Sequence, residues 1–178
     1  MGRITDLDIN RVYFVDLYTG WAVGDYWVQL GEEVICKGGI YHTTDGGKTW
    51  VRQDDGNIPR GLLGVFFLDY NYGWAVGDRI ILHTTDGGNT WKEQQIPHNV
   101  NVKRGIDYRS VHFTDSKNGW IVGINWNTVD DFLLYTKDGG ETWGNIPLMD
   151  YYWTSNLCLV HFVNPNVGWI IGSARILH

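Results

Sequence analysis

Four stretches of the chain alternate at a period of two and end in phenylalanine: Val12-Tyr13-Phe14, Val65-Phe66-Phe67, Val111-His112-Phe113 and Val160-His161-Phe162. A period of two puts successive side chains on opposite faces, so each stretch predicts a β-strand. A turn-forming run follows each one, such as Asp69-Tyr70-Asn71-Tyr72-Gly73 or Asp115-Ser116-Lys117-Asn118-Gly119. A second apolar run then begins at Gly-Trp. Strand, polar turn and strand together predict a hairpin.

Two motifs set the period. Gly-Trp-x-Val/Ile-Gly occurs at Gly20-Trp21-Ala22-Val23-Gly24, Gly73-Trp74-Ala75-Val76-Gly77, Gly119-Trp120-Ile121-Val122-Gly123 and Gly168-Trp169-Ile170-Ile171-Gly172, with Trp spacings of 53, 46 and 49. Thr-x-Asp-Gly-Gly-x-Thr-Trp occurs at 43–50, 84–91 and 136–143, around Asp45 and Trp50, Asp86 and Trp91, and Asp138 and Trp143. A third apolar segment precedes each Asp motif: Ile40-Tyr41-His42, Ile81-Leu82-His83 and Leu133-Leu134-Tyr135. A fourth strand is expected to begin at its Thr-Trp. Four antiparallel strands per repeat describe a β-propeller blade.

The expected fold is therefore all-β, one propeller domain over residues 1–178 with about 3.75 four-stranded antiparallel blades. Blade 1 covers about 10–55, blade 2 about 62–97, blade 3 about 108–147, and an incomplete blade 4 about 157–178. Ile176-Leu177-His178 stands where Ile81-Leu82-His83 precedes an Asp motif. Three closures fit this pattern: part of a larger propeller, two chains joined into a ring of about eight blades, or a four-bladed ring in which residues 3–9 patch the last blade. An uncovered sheet edge invites pairing, so something is expected to cover it.

The Asp motif has a physical logic. An Asp side chain accepts hydrogen bonds from backbone N–H groups just after it. Glycine supplies positive φ where the chain reverses. The Trp offers a flat apolar face for packing one sheet on the next. One residue type at three equivalent places on a ring cannot converge on one substrate, so Asp45, Asp86 and Asp138 read as structural.

Composition narrows the function classes. The chain is 43% hydrophobic and 19% charged, which excludes disorder. Its 23 glycines and 10 tryptophans do not suit a helical bundle. A net charge of −6 argues against a nucleic-acid partner. Cys36 and Cys158 form neither a disulfide framework nor a zinc spacing, and are expected to be free, buried thiols. No metal site and no cofactor are expected. No apolar run approaches the ~18 residues of a membrane span. Met1-Gly2-Arg3-Ile4-Thr5-Asp6 has no apolar signal core, so the expected chain is cytoplasmic or freed of its signal.

The three octapeptides resemble the Asp-box, or BNR, repeat. With the Gly-Trp-Ala-Val-Gly strands, nearly the whole chain looks most like the photosystem II assembly-factor propellers and their non-photosynthetic bacterial relatives. That resemblance implies a non-enzymatic propeller that binds a protein partner. Sialidases share the repeat, but Ile58-Pro59-Arg60 reverses their Arg-Ile-Pro order, and Glu32, Glu33, Glu93 and Glu141 form no nucleophile pair. Xyloglucan-active relatives use paired aspartates between two propellers, and Asp130-Asp131 reads as a solvated loop. No catalytic set is assigned.

Function is expected where the repeats differ. The second-to-third-strand connections at 25–39, 78–79, 124–131 and 173–175, and the inter-blade connections at 54–61, 96–109 and 147–156, share one face of a propeller. They hold Trp27, Trp126 and Trp153, Tyr108 and Tyr152, Arg79, Arg104 and Arg175, and Asp131. Exposed aromatics with arginine are what a protein or peptide hot spot requires, and sugar stacking is the alternative. Against both stands plain packing of loops over sheet edges. The histidines at 42, 83, 112, 161 and 178 occupy repeat-equivalent strand positions and read as packing residues.

Overall fold

The computed structural model describes residues 6–95, 105–146, 148, 156–173 and 176–178. Among them there are fifteen strands and no helix. The first sheet holds β1 (Asp8–Phe14), β2 (Gly20–Leu30), β3 (Glu33–Thr43) and β4 (Val51–Arg52) in sequence order. The second repeats this order with β5 (Leu62–Phe67), β6 (Gly73–Gly77), β7 (Ile80–Thr84) and β8 (Lys92–Glu93). The third holds β9 (Ile106–Phe113), β10 (Gly119–Asn125), β11 (Asp130–Thr136) and β12 (Gly144–Ile146). The fourth holds β13 (Leu159–Asn164), β14 (Val167–Ile171) and β15 (Ile176–Leu177). Every pairing is antiparallel, as in propeller blades.

The first hairpin of blades 1, 2 and 3 closes on a carboxylate. Asp16 Oδ1 accepts the N–H groups of Tyr18 and Thr19, Asp69 Oδ1 those of Asn71 and Tyr72, and Asp115 Oδ1 those of Lys117 and Asn118. In blade 4 Asn164 plays this part toward Asn166. The side chain adds to the backbone bond that closes the turn, such as that from the Leu68 N–H to the Tyr72 carbonyl at 2.8 Å.

The Asp motifs close the second hairpins as the sequence predicts. Thr49 donates its N–H to Asp45 Oδ1 at 2.9 Å and its hydroxyl to Oδ2 at 2.7 Å, while Thr43 Oγ1 accepts the Gly47 N–H at 2.9 Å. Asp86 and Asp138 repeat the pattern with Thr90 and Thr142. The Gly46 N–H reaches the Tyr18 carbonyl, tying the Asp motif to the first turn at the same end of the blade. The fourth strands start two residues later than predicted, after the Trp, at Val51, Lys92 and Gly144.

Inter-blade packing departs from the expected arrangement in one respect. The flat face that stacks on the next blade belongs to the Gly-Trp motif. Trp21 lies on Phe67 and Trp74 on Phe113, each at 3.5 Å, and Trp120 on Phe162 at 3.9 Å. The Asp-motif Trp meets the phenylalanine of its own blade edge-on: Trp91 against Phe67 and Trp143 against Phe113. His42 and His83 cover the opposite faces of Trp21 and Trp74. Each interface is an apolar layer between consecutive sheets.

The second glycine of Gly-Trp-x-x-Gly is also explained. The first strands carry a bulge at Asn10, Leu63 and Arg109, opposite this glycine. A Cβ on Gly77 would stand 2.0 Å from the Gly61 carbonyl oxygen. Only glycine admits the neighbouring backbone there.

Three sequence expectations are corrected. Residues 25–39 form most of a long hairpin, β2 with β3, turning at Gly31 and Glu32. Asp8 and Ile9 pair with Asp25 and Gly24 as the start of the first strand of blade 1, so they do not patch blade 4. Leu7 packs on Ala22 and Tyr41, and Asp6 accepts the Tyr41 hydroxyl, again within blade 1. Both thiols are free, but neither is buried: Cys36 is half-buried and Cys158 exposed.

Candidate functional site

The variable connections do meet at one end of the blades. The Gly38 N–H reaches the Ile58 carbonyl, Asp78 N–H reaches Gly61, Arg79 N–H reaches Ile106, and Trp126 N–H reaches Gly105. Each bond joins the second-to-third-strand hairpin of a blade to the chain segment that leads into that blade or the next.

Around blades 2 and 3 these bonds assemble a polar and aromatic group. Strand β9 alternates strictly at its start: Ile106 and Tyr108 are buried, whereas Asp107 and Arg109 point to the partly exposed side. Trp126, half-exposed, follows β10 and donates its indole N–H to Asp107 Oδ2 at 2.6 Å. The Arg109 guanidinium lies 5.2 Å from the Trp126 ring, a cation–π contact, and also donates to Asn156 Oδ1. Arg109 is the bulged residue of β9, and a bulge re-aims a side chain out of the pleat.

Asp78 adjoins this group through an isolated bridge to Asp107. It accepts from Arg79 Nε at 3.0 Å and from Arg60 at 3.4 Å. Burial pushes the Asp78 carboxyl above the usual carboxylate range; Arg60 opposes this and the Asp107 charge adds to it. Arg79 holds φ at 51°, an uncommon backbone for a residue with a Cβ. It occupies the second position of the two-residue turn between β6 and β7.

The arrangement offers a rigid indole face, held by an arginine on one side and a carboxylate at its N–H, beside further arginines and carboxylates. It suits recognition of an extended chain with polar and apolar side chains. Among the described residues, no three His, Cys, Asp or Glu side chains come together as a metal site. No helix of the described residues is long and apolar enough to cross a membrane.

Comparison with known proteins identifies the family. The model of the photosynthesis system II assembly factor YCF48 matches residues 57–152, more than half of the chain, and the BNR/Asp-box repeat model matches residues 41–52. The chain belongs to the YCF48 family. A solved structure of YCF48 bound to D1 peptide superposes with a TM-score of 0.59 at 27% identity, covering 79% of this chain and 40% of that one. The GH74 xyloglucanase from Xanthomonas campestris superposes with a TM-score of 0.54 at 15% identity, covering 80% of this chain and 24% of that one, a likeness of fold alone. This chain thus spans less than half the length of either protein. No curated protein matches it in sequence.

Of the residues singled out from sequence, this member of the YCF48 family brings Arg79 and Trp126 into one group. Asp131, at the start of β11 nearby, accepts the Leu157 N–H at 3.1 Å. Trp27 is exposed on the long hairpin of blade 1. Tyr108 is corrected: it is wholly buried in β9, edge-on to Phe132, and presents nothing to a partner. Trp153, Tyr152, Arg104 and Arg175 lie outside the described residues. Sequence reasoning missed Asp78, Asp107 and Arg109. The signal was present, because period-two alternation around a buried Tyr108 turns both of its neighbours to the other face.

Proposed function

We propose that this chain is a peptide-binding propeller with an assembly-factor role, and that the Trp126 group is part of its docking face. The observation that carries the reading is the likeness to YCF48 in its peptide complex, at 27% identity over most of this chain. The Trp126 group supports it locally, since the indole is half-exposed yet pinned at its N–H and over its ring. A pinned aromatic binds with little loss of side-chain entropy. The oligosaccharide alternative has only a likeness of fold behind it.

The test is selection of displayed random peptides on the immobilised chain, followed by fluorescence anisotropy with one selected, labelled peptide. Trp126→Ala is expected to weaken binding roughly tenfold or more, about 1.4 kcal/mol or more. Its melting temperature should hold, because the side chain lies outside the inter-blade layers. Undiminished binding by Trp126→Ala removes this group from the docking face. Failure to select any peptide overturns the reading as a whole.

A further inference from the structure

The boundary between blades 1 and 2 opens outward into a cleft of about 410 Å3, and no residue of the Trp126 group lines it. Its size is that of a site for a small ligand or a few side chains. Blade 1 contributes residues 53–59, and blade 2 contributes β7, β8 and the end of its Asp motif. Both fourth strands are only two residues long, so neither covers the opening.

The floor is apolar. Ile58, Ile80 and Leu82 are buried there, and Trp91 is half-buried beside them. The corresponding indole of blade 3, Trp143, is buried at 7%, so this opening is not a property of the repeat. The rim is acidic. Asp55 stands on the blade 1 side and Glu93 on β8, both exposed, and no lysine or arginine lines the cleft. Asp55 is held in place: its Oδ1 accepts the Asn57 N–H and its Oδ2 the Asn57 side-chain amide, each at 3.0 Å. Each oxygen keeps a second lone pair. Asp54 also lines the cleft, but it is taken by Arg52 at 2.8 Å and by the N–H groups of Ile40 and Gly56. Lys37, whose charge acts on Asp55, donates to the Gly56 carbonyl at 2.9 Å. Among the described residues neither Asp55 nor Glu93 makes an ion pair.

We propose that this cleft is a second docking subsite, taking a peptide segment in which an apolar side chain adjoins a lysine or arginine. The apolar side chain enters against Ile80, Leu82 and Trp91, and the basic one meets Asp55 and Glu93 at the rim. The occupant follows from charge: the cleft supplies carboxylates without a cation, so an acidic segment is repelled and a basic one is drawn in. The proposal rests on the peptide-binding reading. It adds a contact of the opposite preference to the Trp126 end, where arginines stand beside the carboxylates.

The test removes the other docking group first. Displayed random peptides are selected on the immobilised Trp126→Ala chain, and one enriched peptide is labelled for fluorescence anisotropy. Peptides with lysine or arginine next to a large apolar residue are expected. Asp55→Asn together with Glu93→Gln should weaken that peptide about tenfold. Raising the ionic strength should weaken it too, but much less on the doubly substituted chain. Both substitutions are exposed and keep side-chain shape, and an unchanged melting temperature checks the fold. Trp91 locates the peptide: its indole N–H resonance, assigned by its loss in Trp91→Phe, should shift on binding. Enriched peptides without basic residues, an unmoved Trp91 resonance, or binding indifferent to the double substitution overturn the subsite. So does an unaltered chain that selects peptides when the Trp126→Ala chain selects none, and that result leaves the peptide-binding reading standing. An unaltered chain that selects nothing overturns the reading itself, and the subsite with it.

Discussion

The indole of Trp74 lies flat on the ring of Phe113, 3.5 Å away and 10° from parallel. Trp74 belongs to the second strand of blade 2 and Phe113 to the first strand of blade 3. The pair explains why one blade needs the next. Its indole N–H also donates to Gly139 in the Asp motif of blade 3, so packing and hydrogen bonding cross the boundary together.

Trp74→Ala is expected to cost about 4 kcal/mol, the range for deleting a buried aromatic ring. Trp74→Phe keeps the stack and loses the N–H bond, and should cost less. Urea unfolding followed by circular dichroism measures both. A loss below about 1 kcal/mol for Trp74→Ala would show that the boundary does not rest on this stack.

Gly77→Ala and Gly31→Ala separate close approach from turn conformation. A Cβ at Gly77 would strike the Gly61 carbonyl, and the backbone must shift. Gly31 turns in open space with φ at 63°. Losses of about 3 kcal/mol or more at Gly77 and about 1 kcal/mol at Gly31 are expected. Equal losses would refute the close-approach account.

His112 should make stability pH-dependent. Burial pushes its imidazole down to about 4; its Nε2 contact with the Phe162 carbonyl opposes this, and His161, 4.5 Å away ring to ring, adds to it. The neutral form is the folded form. Its stability contribution is complete above the unfolded value near 6.5 and is lost as pH falls from there toward 4. After screening, that loss amounts to about 2 kcal/mol. Phe66 occupies the equivalent position in blade 2, so His112→Phe should fold and flatten the profile between pH 6.5 and 4. Melting temperature against pH decides it; an unchanged slope would assign the dependence elsewhere.

The Asp motif acts at lower pH. Backbone and hydroxyl bonds from Thr49 hold the Asp45 carboxyl down to about 2. A depressed carboxylate stabilises the fold above its unfolded value near 4, and that contribution is lost as pH falls toward 2. Asp45→Asn should lower the melting temperature at neutral pH and reduce its further fall below pH 4. A variant that melts like the parent at neutral pH would show that the ionised form is not needed for the turn.

Much of this fold was legible because it is written several times. A Phe-x-Asp turn, a Gly-Trp strand and an Asp motif recur with the same roles at Asp16, Asp69 and Asp115, and at Asp45, Asp86 and Asp138. Where the repeats differ, reading was poorer. The stretch 25–39 has no counterpart in the other blades, so the repeats make it a connection, although Tyr26 to Leu30 and Glu33 to Cys36 flank a glycine turn. The repeats place Tyr108 in a loop, whereas β9 begins before the repeated Val-x-Phe core. The bulge at Arg109 then decides which neighbours reach the surface.

The sequence by itself determined the local units: which segments are strands, where they turn, and that each blade presents one phenylalanine and one tryptophan. Those follow from short-range rules, namely alternation, the φ freedom of glycine, and a carboxylate bonding nearby N–H groups. Only the tertiary structure decided which tryptophan stacks across a boundary, which residues share a face with Trp126, and which cleft between blades stays open. These depend on blade-to-blade geometry, where residues far apart in the chain meet, and spacing along the chain does not encode that geometry.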